Sequence, residues 1–149
     1  MIAVIQRVSE AKVDVDGKTV GACGKGFLVL LGIAEGDTER DVTLLADKIR
    51  KLRIFEDENG KMNRALSDVG GEILLISQFT LLANYAHGNR PDFFGAAKPA
   101  VAEPLFERFY AYIKEYVPGT EKGIFGADMQ VSLINDGPVT IVMDSKVLR

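Results

Sequence analysis

The sequence predicts a mixed α/β fold, and the order of its apolar segments carries that prediction. Strand-like segments come first, two segments with helical periodicity follow, and strand-like segments return at the end. The chain has 149 residues, of which 47% are hydrophobic, so it is long enough for one domain with its own core and too short for two. Residues 1–149 are therefore predicted to form a single domain.

The N-terminal segments predict a β-hairpin followed by a buried strand. Residues 2–8 and 11–15 alternate between apolar and polar side chains, which is typical of strands. Asp16 and Gly17 then form a two-residue hairpin signal before the next strand. Residues 27–31 are apolar without alternation, which indicates a strand covered on both faces at the centre of a sheet.

Two amphipathic helices are predicted in the remainder of the chain. The first starts at Asp37 or Thr38, and its apolar face consists of Val42, Leu45, Ile49 and Leu52. The second follows Pro99 and ends at Val117-Pro118-Gly119. Its apolar face consists of Ala102, Leu105, Phe106, Phe109, Ile113 and Tyr116.

Three further segments complete the predicted fold. Residues 73–76 form a short buried strand, after which Ser77-Gln78-Phe79-Thr80 stands at the strand end. Residues 82–98 lose periodicity and form a long loop. The chain is predicted to end in a strand pair, in which a turn at 135–138 joins two apolar strands.

Composition excludes several classes of function. The net charge is −3, with 18 basic and 21 acidic side chains, which argues against binding nucleic acid by bulk phosphate neutralisation, so any nucleic acid would have to be bound locally. The single cysteine, Cys23, and the single histidine, His87, leave no disulfide framework and no Cys/His zinc cluster, and Cys23 is expected to be a buried, inert thiol. No apolar run approaches the roughly 20 residues that span a bilayer, so a cytoplasmic protein without a membrane partner is predicted.

Ser77 to Thr80 is the first candidate site. Taken alone, this tetrapeptide is typical of an ordinary strand edge, but backbone N–H groups at a strand end can point together at a developing oxyanion. Its hydroxyl and amide side chains can orient a substrate. Thr80 as a nucleophile would need an adjacent base, and His87 has no evident Asp partner beside it in the sequence.

These features together resemble one known family. The matching segments are Val4-Ile5-Gln6-Arg7-Val8, Arg53-Ile54-Phe55-Glu56-Asp57 with Gly60-Lys61-Met62-Asn63, Ser77-Gln78-Phe79-Thr80, Arg90-Pro91, Phe125-Gly126-Ala127 with Met129, and Asn135-Asp136-Gly137-Pro138-Val139-Thr140. They are spread over nearly the whole chain, and they resemble the signature of the D-aminoacyl-tRNA deacylases, which hydrolyse D-amino acids from mischarged tRNA.

The resemblance implies a layered β/β/α fold and a homodimer whose active site lies at the subunit interface. It implies that the Gly137-Pro138 peptide is cis and reaches into the active site of the other subunit, where this Gly-cisPro wall rejects L-aminoacyl esters by collision with their side chains. Such a wall does not exclude glycine, so glycyl-tRNA is an expected second substrate. Arg7 would orient the Gly-Pro turn by hydrogen bonding.

The resemblance also implies how the remaining site residues act. The backbone N–H groups of Phe79 and Thr80 would hold the oxyanion. The substrate-binding residues would be Ser77, Gln78, Phe125, Ala127 and Met129. In the family the 2′-hydroxyl of the terminal adenosine is thought to assist the attacking water, and no metal or organic cofactor is implied.

Two alternative functions stay open at the level of sequence. One is a non-catalytic nucleic-acid-binding module, in which the loops and the cations Lys48, Arg50, Lys51 and Arg53 bind a strand. The other is an esterase or amidase that acts on a small substrate with Thr80 as its covalent nucleophile.

Overall fold

The computed structural model describes residues 1–148, which form a mixed α/β fold around one six-stranded, nearly closed sheet. The strands are β1 (Ile2–Val15), β2 (Lys18–Cys23), β3 (Gly26–Gly32), β4 (Phe55–Glu56), β5 (Met62–Arg64), β6 (Glu72–Ser77), β7 (Thr120–Lys122) and β8 (Gln130–Asp144). The main sheet has the order β2-β1-β3-β6-β7, β8 pairs with the other side of β1, and β4 with β5 forms a separate hairpin. The sheet curls so that its end strands, β2 and β7, come close together. A Cβ atom built on Gly21 of β2 would lie only 2.7 Å from the carbonyl oxygen of Lys122 in β7.

The predicted N-terminal hairpin is confirmed. Asp16 and Gly17 have φ values of 51° and 79°, as the two central residues of a type I′ turn require. The two predicted strands 2–8 and 11–15 are one continuous strand, β1. Ser9 and Glu10 are exposed, so they interrupt the apolar alternation without ending the backbone pairing.

The predicted central strand, β3, lies between β1 and β6 and is covered on both faces. Phe27, Val29 and Leu31 belong to the core beneath the helices, whereas Leu28 belongs to a second core on the other face of the sheet. This two-sided burial explains why the segment is apolar without alternation. β6 runs parallel to both β3 and β7, so the carboxyl ends of these three strands lie at the same edge of the sheet.

The helices are α1 (Glu39–Arg50), the single-turn α2 (Leu66–Val69) and α3 (Pro99–Tyr116). Both predicted amphipathic helices are therefore present. Thr38 caps α1, since its side chain accepts a hydrogen bond from the Arg40 amide at 3.3 Å and its own amide donates to Asp41 at 2.8 Å. The buried residues of the two helices are Val42, Leu45, Ala46 and Ile49 in α1 and Ala102, Phe106, Phe109 and Ile113 in α3.

The predicted strand pair at the C-terminus is wrong. Residues 130–144 form one strand, β8, and both of its halves pair antiparallel with β1. The chain does not reverse at Asn135 to Pro138; these residues begin a bulge that stands out of the ladder opposite Arg7. The turn-forming chemistry of this segment is real, but β1 is long enough to pair with the strand on both sides of the bulge, so the strand continues.

No helix in residues 1–148 is both long and apolar enough to cross a membrane.

Candidate active site

A cavity of about 690 Å³ lies where the parallel strands β3 and β6 end. Leu31 and Ser77, which pair with each other in register at these strand ends, both line it. Ligand sites commonly form at the carboxyl ends of parallel strands because loops of different segments meet there.

The segment from Ser77 to Thr80 forms one side of this cavity. After Ser77 the chain enters a 3-10 turn, Phe79–Leu82, and the Gln78 amide donates to the carbonyl of Leu31 at 2.8 Å, which fixes the turn against β3. The amides of Phe79 and Thr80 begin this turn, so the turn itself offers them no carbonyl partner. The Gln78 side-chain amide donates to the Thr80 hydroxyl at 3.1 Å.

The segment from Phe125 to Met129 also lines the cavity. Gly126 has φ 78°, and the Ala127 amide donates to Ile124 at 3.2 Å, so the chain turns tightly here. The Phe125 ring packs against Phe106 of α3 with 6.0 Å between ring centroids, which anchors this side on the helical core. The cavity thus brings together seven of the predicted site residues: Ser77, Gln78, Phe79, Thr80, Phe125, Ala127 and Met129.

The other three predicted residues, Arg7, Gly137 and Pro138, do not line the cavity of their own chain. The Gly137–Pro138 peptide is cis, and the residues from Asp136 to Pro138 are exposed, whereas the following Val139 is buried. A Cβ atom on Gly137 would lie 2.7 Å from Cγ2 of Val139 and 3.1 Å from Nη2 of Arg7, and its φ of +140° disfavours any side chain.

Hydrogen bonds hold this exposed turn in place. Arg7 is 6% exposed, and its guanidinium donates from Nε to the carbonyl of Asp136 at 2.9 Å and from Nη1 to the carbonyl of Ile54 at 2.7 Å. The Asn135 side chain accepts from the Val139 amide at 2.7 Å and donates to the Thr140 hydroxyl at 2.9 Å. Through Arg7 the turn is therefore connected to β1 and to the residue before β4. Through Asn135 the two ends of the bulge are connected to each other.

Among the cavity residues that sequence analysis did not name as site residues, three carry a charge or an aromatic ring of note. Lys98 and Asp128 line the cavity and are its titratable side chains among the described residues, and Phe93 packs edge-on against Phe79 with 5.0 Å between ring centroids. Asp128 lies inside the predicted segment 125–129, so the sequence could have identified it as a site residue. Lys98 and Phe93 belong to the aperiodic loop 82–98, where no pattern marks them.

The other candidate groups lie elsewhere. His87 does not line the cavity, and residues 1–148 contain no group of three or more His, Cys, Asp or Glu side chains placed to hold a metal ion. Burial raises the pKa of the Cys23 thiol to about 11, with a smaller contribution from the charge of Glu72, so the thiol is protonated at neutral pH. Arg50, Lys51 and Arg53 line a separate cavity near the start of β6.

This arrangement can bind and orient a substrate that has both polar and apolar groups. The cavity is lined by the hydroxyl residues Ser77 and Thr80, by Gln78 and by several apolar side chains. The Thr80 hydroxyl accepts from the Gln78 amide, which is a donor and not a base. Residues of these types can position a substrate, and backbone amides at a strand end can stabilise a developing oxyanion.

Comparisons with known proteins point to one family. The family model described as D-Tyr-tRNA(Tyr) deacylase matches residues 4–144. The D-aminoacyl-tRNA deacylase of Geobacter sulfurreducens is 58% identical over 146 residues, which cover 98% of this chain and 96% of that protein. The D-aminoacyl-tRNA deacylase of Thermus aquaticus is 58% identical over 145 residues, which cover 97% and 95% of the two chains.

Two solved structures share the fold. The structure titled "c-Myc DNA Unwinding Element Binding Protein" has a TM-score of 0.91 at 42% identity and covers 97% of this chain and 98% of its own. A probable eukaryotic D-amino acid tRNA deacylase has a TM-score of 0.84 at 15% identity, covers 95% and 97% of the two chains, and is similar in fold alone. The family match and the extent of the identity lead to one assignment: the chain belongs to the D-aminoacyl-tRNA deacylase family of hydrolases.

Proposed function

We propose that residues 1–149 act as one cytoplasmic domain that hydrolyses the ester of D-aminoacyl-tRNA to free D-amino acid and tRNA. The observation that carries the proposal is the cavity that the Ser77–Thr80 segment and the Phe125–Met129 segment line together. It is large enough for an aminoacyl group with its terminal ribose, and it carries amide donors beside an apolar floor. Membership of the family supports the same substrate class.

In this proposal the protein positions the ester and stabilises the charge that develops on it. The amides of Phe79 and Thr80 bind the oxyanion, Ser77 and Gln78 shape the entrance, and the segment from Phe125 to Met129 holds the amino acid side chain. An aminoacyl ester is already activated, and the 2′-hydroxyl of the terminal adenosine assists the attacking water, so no protein nucleophile, metal or cofactor takes part.

A covalent role for Thr80 predicts a different outcome in one experiment. Replacing Thr80 by Ala removes the hydroxyl but keeps the backbone amide. The proposed mechanism expects substantial residual turnover of D-tyrosyl-tRNA, whereas a covalent enzyme loses essentially all turnover. The hydrogen bond from Gln78 to the Thr80 hydroxyl, with no histidine among the described residues that line the cavity, favours the non-covalent mechanism.

We further propose that the chain forms a homodimer in which each Gly137-Pro138 turn enters the cavity of the partner. The turn is exposed and does not line its own cavity, so it is available to a second copy. β8, which carries it, pairs only with β1 among residues 1–148, and its outer face exposes Ile134 at 54% and Val142 at 69%. A long edge strand with exposed apolar side chains favours association.

The turn then selects chirality by exclusion. Exchanging the D for the L configuration swaps the α-hydrogen with the side chain, so a rigid backbone that touches the hydrogen of a D-residue collides with the side chain of an L-residue. The bonds from Arg7 and Asn135 give the turn the necessary rigidity. Glycine has hydrogen at both positions, so glycyl-tRNA passes the same barrier and is cleaved.

The decisive experiment compares D-tyrosyl-, L-tyrosyl- and glycyl-tRNA with the purified protein and follows loss of the ester. Rapid loss of the D and glycyl esters with the L ester spared supports the proposal. A matched D-tyrosyl-tRNA that ends in 2′-deoxyadenosine should be cleaved much more slowly if the 2′-hydroxyl takes part. Equal loss of D and L esters would refute the exclusion mechanism.

Mixing two variants tests whether the site is shared between subunits. Phe79→Pro removes the backbone N–H of residue 79, which is one of the two proposed oxyanion donors. The substitution fits the backbone, because Gln78 already has the extended conformation that a following proline requires. Loss of such a donor lowers kcat about 10²- to 10³-fold. Gly137→Ala keeps the cavity but disturbs the turn. In a mixed dimer the intact cavity of the Gly137→Ala chain meets the normal turn of the other chain, so rejection of the L ester returns. If each turn serves its own cavity, mixing the two variants does not restore rejection of the L ester. A chain that carries both substitutions is the matched control.

A nucleic-acid-binding module without catalysis is a second candidate. The observation that favours it is the name of the 42% identical solved structure, a DNA unwinding element binding protein. It predicts salt-sensitive binding of nucleic acid and no loss of any aminoacyl ester, so the same ester assay separates the two functions.

A further inference from the structure

Three exposed aromatic rings lie on the segment that leads from β6 past the cavity. Phe94 is 84% exposed, Tyr85 is 75% exposed and Phe79 is 58% exposed, and all three lie in the segment that follows β6. Phe79 lines the cavity together with Phe93, the residue next to Phe94. Single exposed apolar residues are common, but three rings in one short segment beside a cavity indicate a surface that binds a partner.

Backbone hydrogen bonds hold this aromatic surface, defined by Phe79, Tyr85 and Phe94, on an ordered loop. Asn84 and Asp92 exchange two backbone hydrogen bonds of 2.9 Å, which closes the loop that carries Tyr85. The Asn84 side chain accepts from the Ala86 amide at 3.0 Å, and the Asp92 side chain accepts from the Phe94 amide at 3.3 Å. The rings therefore need little ordering when a flat partner stacks on them.

The charges near this surface are mixed, so they do not repel a nucleic acid strand as the overall charge of −3 would. Arg90 lies in the same loop and Lys98 lines the cavity, with Asp92 and Asp128 as the nearby carboxylates. The local charges balance, and two cations lie near the exposed rings. Aromatic rings interleaved with a few cations are typical of surfaces that stack unpaired bases, and the stacking requires no large basic patch.

We propose that Tyr85 and Phe94 are base-stacking residues that bind the unpaired 3′ nucleotides of the tRNA as its acylated end enters the cavity. This inference rests on the proposed function, because that function places the 3′ end of an RNA at this cavity. It explains how a chain with a net negative charge holds tRNA: the binding energy comes from stacking on the loop rather than from many phosphate contacts.

Equilibrium binding of uncharged tRNA tests the surface independently of catalysis. Tyr85→Ala and Phe94→Ala should each weaken binding about five-fold to about 150-fold, the range that loss of one base–aromatic stack produces. The same tRNA without its unpaired 3′ nucleotides should bind the variants and the unaltered protein equally. Tyr116→Ala is the matched control, since Tyr116 is 49% exposed but lines the other cavity, near the start of β6.

Conservative variants and salt dependence separate stacking from other roles. Tyr85→Phe and Phe94→Tyr keep a ring and should retain binding. The slope of log K against log salt should be unchanged in Tyr85→Ala and Phe94→Ala, because a ring releases no counterions. Unchanged affinity for intact tRNA in both alanine variants overturns the inference.

Two further outcomes distinguish its failure from that of the proposed function. If the alanine variants bind tRNA normally but dissociate into monomers in sedimentation, the rings belong to a contact between copies of the chain and the inference is wrong. If the unaltered protein cleaves no ester but loses tRNA binding on substitution of Tyr85 or Phe94, the stacking surface stands and the proposed hydrolysis fails.

Discussion

Replacement of Arg7 by Lys tests how the exposed turn is held. The guanidinium of Arg7 bridges two carbonyls on different segments, that of Asp136 in the bulge of β8 and that of Ile54, the residue before β4. The two donors are different nitrogen atoms of one planar group. A lysine has a single nitrogen on a flexible stem, so it cannot reproduce both bonds in the same geometry.

The size of the effect follows from the lost contact. A hydrogen bond from a charged donor contributes about 1.5–3 kcal/mol, and a buried carbonyl left without a partner costs about 1–3 kcal/mol. Loss of one of the two bonds should therefore lower the free energy of unfolding by about 2–3 kcal/mol. At about 2–4 °C per kcal/mol for a chain of this size, Tm should fall by roughly 4–12 °C.

Selectivity should change together with stability. A turn that has lost one of its hydrogen bonds is displaced more easily by the side chain of an L-residue. If the turn excludes L-residues, the ratio of kcat/KM for D-tyrosyl- over L-tyrosyl-tRNA should therefore fall about ten-fold or more. A ten-fold fall corresponds to about 1.4 kcal/mol, which is within the free energy that the lost bond provides. The assays are thermal unfolding at fixed protein concentration and ester hydrolysis with both tRNAs.

The same substitution elsewhere provides the control. Arg108→Lys changes a half-exposed guanidinium that lies 3.5 Å from Glu39, and such surface pairs contribute about 0–1 kcal/mol. If Arg7→Lys behaves like Arg108→Lys, with an unaltered Tm and an unaltered ratio of D to L hydrolysis, then the Arg7 bonds do not hold the turn and the argument fails.

Other predictions concern stability and reactivity. Thr38→Ala removes the side-chain cap of α1 and should lower the free energy of unfolding by about 1 kcal/mol, measured by urea denaturation. Gly26→Ala should prevent normal pairing of β3 with β6, because its Cβ atom would lie 1.8 Å from the carbonyl oxygen of Glu72 and its φ is +156°; a folded variant with unaltered Tm would contradict this. Cys23 should resist thiol reagents at pH 8 until the protein unfolds, since burial raises its pKa from 9.0 to about 11. Because the folded state then keeps the proton that the unfolded state loses, the free energy of unfolding should decrease as pH rises from 9 to 11, and Cys23→Ala should lack this component.

Local chemistry was sufficient to predict most elements of the fold. The hairpin at Asp16-Gly17 depends on two residues that tolerate positive φ, and the start of α1 depends on Thr38 and the acidic residue three positions later. The continuous apolar run of β3 indicated burial on both faces. In each case the signal lies within a few residues of the feature, so it can be read without knowledge of the rest of the molecule.

The C-terminal error had a non-local cause. Asn135-Asp136-Gly137-Pro138 has the composition of a chain-reversing turn, and the same residues also suit a bulge. The choice depends on β1, which is long enough to pair with residues on both sides of the bulge and whose Arg7 bonds to the bulge itself. The residues 135–138 themselves contain no information about the length of β1, so the sequence of this segment could not decide between a turn and a bulge.

The candidate site shows a similar division. Ser77 to Thr80 could be predicted as the end of a buried strand, but only resemblance to a family connected it with Phe125 to Met129, because the two segments meet through the parallel arrangement of β6 and β7. Lys98 belongs to no predicted site segment, so its place in the cavity depends entirely on the fold.

The separation of Gly137-Pro138 from the cavity of its own chain has a consequence for the proposed function. A chiral barrier must be rigid, whereas an aminoacyl end must enter and leave, and these demands conflict when one loop serves both. Here the turn is fixed by Arg7 and Asn135 to the sheet, while the cavity is formed by the loop ends of other strands. If a partner supplies the turn, discrimination and oxyanion binding belong to different chains, so dissociation of the dimer should abolish selectivity even where the cavity stays intact.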